Sequence, residues 1–159
     1  MKEVILAVCY WLHLSATVVW IGGIFFILFI ALPSAKQVLG AEAGKLTGET
    51  SKRFTPLANY SIILLIVSGA VLTALSKQFS GMGNFENSWS IGLIVKHVFV
   101  LGMILVHFYR GLILAPKIAR TEPASEKATL QKLSLNLVKV NFCFALMVLL
   151  FSGIISISK

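Results

Sequence analysis

The chain has 159 residues, of which 57% are hydrophobic and 13% charged, with mean hydropathy +0.89. A soluble domain carries about 45–50% apolar and about 25% charged residues, so a soluble globular fold is excluded, and the length leaves room for one membrane domain. Fourteen Lys and Arg against six Asp and Glu give a formal charge of +8; in so apolar a chain the excess marks topology and argues against a nucleic-acid partner.

A bilayer core takes about 20 apolar residues per helix. The first such run covers residues 4–32. Its length and lack of a small-residue cleavage site predict a retained helix rather than a signal peptide. A basic connection follows, with Lys36, Lys45, Lys52 and Arg53. The second run covers 57–75. Residues 78–90, with Gly81, Gly83 and Asn84, read as a loop in which Trp89 is a candidate interfacial anchor. The third run covers 91–115. A second basic connection carries Lys117, Arg120, Lys127, Lys132 and Lys139, and Leu130, Leu133 and Leu137 recur there at helical spacing. The fourth run covers 140–157. Spans two and four are expected to extend as helices beyond the membrane. Pro33, Pro116 and Pro123 are expected to break the chain after the odd-numbered spans. Cys9 and Cys143 form neither a disulfide framework nor a metal motif.

The runs are continuous and lack strict alternation, so they predict helices rather than barrel strands. The expected fold is all-α: an integral membrane four-helix bundle forming a single domain over residues 1–159. The positive-inside rule places both basic connections in the cytoplasm and both termini outside it. The expected location is a bacterial inner membrane, crossed several times.

An internal repeat underlies the order of elements. His13 lies 84 positions before His97, and the pair Ser68, Gly69 lies 84 positions before Ser152, Gly153. Leu46 and Leu130 share that offset, as do Leu65 and Leu149. Each half reads as a helix with a histidine, a proline, a basic segment and a helix with Ser-Gly. A parallel duplication of a two-helix unit follows, with a pseudo-twofold axis along the membrane normal.

Ionisable groups inside spans are functional candidates. Here they are His13, Lys96, His97 and His107, with Arg110 nearer the inner edge. His13 and His97 are expected at one depth, roughly 8 Å outside the midplane by the helical rise. Zinc needs further ligands that the sequence does not supply nearby. Copper favours soft donors, and Met103 and Met147 are scattered. Haem b needs two axial protein ligands and fits His13 and His97 best. Lys96 suits a propionate, and Trp20, on the face of His13, suits packing against the macrocycle or plain helix packing. His107 faces the way of Lys96 rather than His97. It is an alternative ligand, a second weak site, or a proton or quinone group beside Tyr109 and Arg110.

The motifs carry two resemblances. Leu12 and His13 followed by Trp20, Ile21, Gly22 and Gly23 resemble the first helix of the CopD membrane domain. Arg53, Phe54, Thr55, Pro56, Leu57 and Ala58 leading to Ser68 and Gly69 resemble its second helix. Lys96 leading to Arg110 and then Ala115, Pro116 and Lys117 resembles its third. That resemblance implies copper resistance or uptake. His13 with Trp20, and Lys96 with His107, Tyr109 and Gly111, are similar to HemJ, the membrane protoporphyrinogen oxidase. That resemblance implies haem b. The chain departs from HemJ in having no basic residue over 25–32.

The leading expectation is a small membrane b-type cytochrome that transfers electrons, with a quinone or a redox protein as partner. The alternatives are a HemJ-like oxidase and a CopD-like copper protein. A homodimer or a subunit of a larger membrane complex is compatible with so small a chain.

Overall fold

The computed structural model describes residues 1–76 and 88–157. Among them the fold is all-helical. Four helices are long and apolar enough to cross a membrane: Lys2–Leu39, Ala43–Ala74, Trp89–Arg120 and Ala124–Ile157. The expected outer loop falls largely on 77–87, outside the described residues, and Ser88 already begins a helix. The chain divides into two compact units, Met1–Phe79 and Ser80–Lys159.

The first unit opens with α1 (Lys2–Phe26), a π-helical segment (Ile27–Ala31) and α2 (Leu32–Leu39). Pro33, a predicted helix end, does not break the helix. A proline ring crowds the carbonyl four residues back and offers no N–H to it. The turn before Pro33 widens into the π segment, and the helix then resumes with the proline near its start. In a bilayer this continuation keeps backbone groups satisfied, which an open break would not. The chain reverses instead at Gly40, whose φ of 51° is a conformation that favours glycine. A short 3₁₀ turn (Gly40–Glu42) leads into α3 (Ala43–Ala74), so span two does extend well ahead of its apolar run.

Helices α1 and α3 pack antiparallel, with Gly23 against the Phe54 ring at one level and His13 against Ser68 at another. Ala16, Trp20 and Ile24 recur every four residues and form the buried stripe of α1. Ala58, Ser61, Ile62 and Ser68 answer from α3. Small residues let the backbones approach, and that approach supplies the dispersion contacts that hold membrane helices together.

The second unit repeats this order. Helix α4 (Ser88–Phe108) runs into a π-helical segment (Tyr109–Leu114) and α5 (Ala115–Arg120). Pro116 sits at the start of α5 as Pro33 does in α2, so it too continues the helix. The turn comes at Thr121, which is extended, and Pro123 immediately precedes α6 (Ala124–Ile157). Of the three prolines expected to break the chain, this one does so. Antiparallel packing of α4 on α6 sets Ile155 against Gly92, Phe144 against Gly102 and Ser134 against Arg110. Phe99 stacks on Phe151 at 6.1 Å and tilts against Phe144 at 5.7 Å. Trp89, a candidate interfacial anchor, is 5% exposed and packs inward.

Ser68 Oγ donates to the Leu64 carbonyl, and Ser152 Oγ donates to the Val148 carbonyl, the same pair 84 positions on. Outward faces carry Val18, Ile63, Leu101 and Leu150 well exposed. Such patches exceed what soluble monomers show, and a bilayer is the solvent that suits them.

Candidate functional site

His13 is half-buried on α1, and its Nδ1 lies 2.9 Å from Ser68 Oγ on α3. Ser68 is 3% exposed, and its hydroxyl donates to the Leu64 carbonyl at 2.5 Å. A hydroxyl has one proton to give. With that proton spent on Leu64, the Ser68 oxygen accepts from His13 Nδ1–H. The ring thus carries a proton on Nδ1, which leaves Nε2 as its candidate metal donor. This is the arrangement found around ligating histidines, where a bond to one nitrogen orients the ring and raises the basicity of the other. Thr17 Oγ1 caps the same turn by donating to the His13 carbonyl at 2.8 Å. Gly69 leaves space beside the ring: a Cβ there would stand 3.4 Å from His13 Cε1. Cys9, one turn earlier on the same face, is a half-buried free thiol. Trp20, two turns later, is 2% exposed and belongs to the α1 packing stripe.

In the second unit His97 is exposed, and its Nδ1 lies 2.7 Å from the Leu93 carbonyl on its own helix. A carbonyl only accepts, so His97 also holds a proton on Nδ1. The two histidines thus donate from the same ring nitrogen to different partners: Ser68 serves His13, and Leu93 serves His97. Lys96 is half-buried, one step around the helix from His97.

His107 is 8% exposed, on the inner face of α4 with Met103, which is 1% exposed. It thus points away from His97, as a step of about 100° per residue requires. Its ring meets Phe108 edge-on at 5.4 Å. Arg110, in the π segment one turn on, donates from Nε to Ser134 Oγ on α6 at 3.2 Å.

Three residues at these positions carry no signal as site residues in the sequence. Ser134 answers Arg110 across the helix pair. Ser68 is visible as half of a repeated dipeptide, but not as the partner of His13. Asn141 on α6 is 4% exposed, and its Oδ1 has no hydrogen-bond partner among the described residues. Among those residues no group of three or more His, Cys, Asp or Glu is placed to hold a metal ion.

A family model described as Copper resistance protein D, CopD, matches residues 48–155. No curated protein and no solved structure matches the chain. The matched stretch holds Ser68, Lys96, His97, Met103, His107 and Asn141, while His13 and Trp20 precede it. It covers about two-thirds of the chain, runs from the early turns of α3 into the last turns of α6, and agrees with the resemblance carried by residues 53–58 and 110–117. A multi-pass membrane protein with this match belongs to the CopD family and is related to copper resistance.

Proposed function

We propose that the protein handles copper in the membrane and that His13 offers Nε2 to the ion. The observation behind this reading is the chain of bonds from His13 Nδ1 through Ser68 to the Leu64 carbonyl, which orients the imidazole. Copper binds imidazole well, and the sulfur of Cys9 one turn away adds the soft donor that favours Cu(I). The family match supplies the metal. The basic connections put the termini, and with them the end of α1 that carries His13, on the outer side of a bacterial inner membrane. Copper then meets the protein from outside.

A second reading is haem b, for which His13, His97 and His107 are each candidate ligands. It is favoured by the Nδ1 hydrogen bonds that orient the rings of His13 and His97, and a porphyrin would bring four donors of its own. In that reading Lys96 meets a propionate, and electrons pass to a quinone or a partner protein.

Metal analysis and a visible spectrum separate the two readings. The full chain, purified in mild detergent from copper-supplemented cells, is expected to carry copper and to show no haem bands. Copper content is expected to fall in His13→Ala. A low-spin b-type spectrum with stoichiometric iron and no copper would replace the first reading with the second.

A further inference from the structure

The second unit carries buried polar groups that the His13 reading does not use. Asn141 is a neutral amide, 4% exposed, with Oδ1 lacking a hydrogen-bond partner among the described residues. A buried amide oxygen left without a donor costs roughly 1–3 kcal/mol, so its retention inside a span asks for an occupant. Oδ1 accepts hydrogen bonds and coordinates cations.

The register of α4 on α6 says what stands beside it. Phe144 lies against Gly102 and Ser134 against Arg110. Between those two contacts Asn141 falls level with the turn that separates Met103 from His107. Met103 and His107 are four residues apart, hence on one helix face, and both are buried, at 1% and 8% exposure. Val138, Asn141 and Ala145 are the buried residues of α6 over the same stretch. A thioether and an imidazole, one turn apart on α4, thus face the stretch of α6 that carries the amide oxygen.

The geometry points to a copper(I) site in the second unit formed by Met103, His107 and Asn141. The assignment rests on the copper reading above and places a second ion in the same chain. All three donors are neutral, so an ion here keeps its full charge in an apolar surround. A single positive charge is far cheaper to bury than two. Arg110, one turn from His107 and always protonated, raises the cost of a divalent ion further. The thioether selects the soft monovalent ion.

The test is a Cu(I) titration of the full chain in detergent against a coloured chelator, with single and double variants. Two Cu(I) per chain are expected. His13→Ala is expected to lose one, and Met103→Leu or Asn141→Leu to lose the other. His13→Ala combined with Met103→Leu is expected to lose both. Met103→Leu conserves volume, and Asn141→Leu removes the unsatisfied oxygen, so both variants should fold; retained helical circular dichroism checks this. X-ray absorption of copper-loaded His13→Ala should show a sulfur neighbour that Met103→Leu abolishes. If one Cu(I) binds, is lost in His13→Ala and persists in Met103→Leu and Asn141→Leu, this site is overturned while the His13 reading stands. If one Cu(I) persists in His13→Ala and is lost in Met103→Leu, this site stands and His13 is not a ligand. If no copper binds, both are overturned.

Discussion

His13 Nδ1 stands 2.9 Å from Ser68 Oγ, and that serine in turn donates to its own helix at the Leu64 carbonyl. The relay places a proton on Nδ1 and leaves Nε2 as the candidate metal donor. Ser68→Ala should cost about 1 kcal/mol of stability and weaken Cu(I) binding at His13 by roughly 10–100-fold, the usual effect of losing the group behind a ligating histidine. Ser152→Ala removes only a bond within α6 and should leave Cu(I) binding unchanged. Chelator competition on the two variants side by side measures this. Equal affinities would remove the relay from the account.

Gly22 and Gly23 are adjacent and should respond oppositely to alanine. A Cβ on Gly23 would collide with the Phe54 ring, while one on Gly22 meets nothing within 4 Å. Gly23→Ala should destabilise the first helix pair by about 1–3 kcal/mol, the range for overpacking. Gly22→Ala should be neutral or slightly stabilising, because alanine is the better helix former. Thermal unfolding in one detergent, followed by helical signal, compares them.

The reversal after α2 depends on Gly40, at φ 51°. Gly40→Ala meets no neighbouring atoms, so its cost comes from the backbone alone, about 1–3 kcal/mol. A lowered unfolding midpoint with unchanged copper stoichiometry is expected, since the turn is remote from His13 along both helices.

Arg110 and Ser134 form the one described hydrogen bond whose guanidinium lies in a π segment. Ser134→Ala leaves that Nε–H without its acceptor and should cost about 1–3 kcal/mol. Arg110→Leu combined with Ser134→Ala should recover part of that loss. A double-mutant cycle is expected to give a coupling of about 0.5–3 kcal/mol, read from chemical or thermal unfolding.

The spans were legible because apolar runs of sufficient length have no other outcome in a bilayer. The repeat was legible too, and the structure adds paired π segments ahead of Pro33 and Pro116. Those prolines do not end their helices: the local rule, that proline ends a helix, omits the option of widening the preceding turn. His13, Lys96, His97 and His107 stand out in any sequence where charge is scarce. Asn141 does not, since a neutral amide among Val and Phe carries no such mark. Its significance depends on the register of α4 against α6, which no pattern along one helix specifies. The Ser68 partner of His13 is hidden for the same reason, being 55 residues away.

The central claim is that His13 Nε2 holds copper. Cu(I) titration of the full chain and of His13→Ala, with the variant's helical content confirmed unchanged, tests it most directly. His13→Ala is expected to hold one fewer tightly bound Cu(I) per chain. Equal copper stoichiometry and affinity in the two proteins would show that His13 is not a copper ligand.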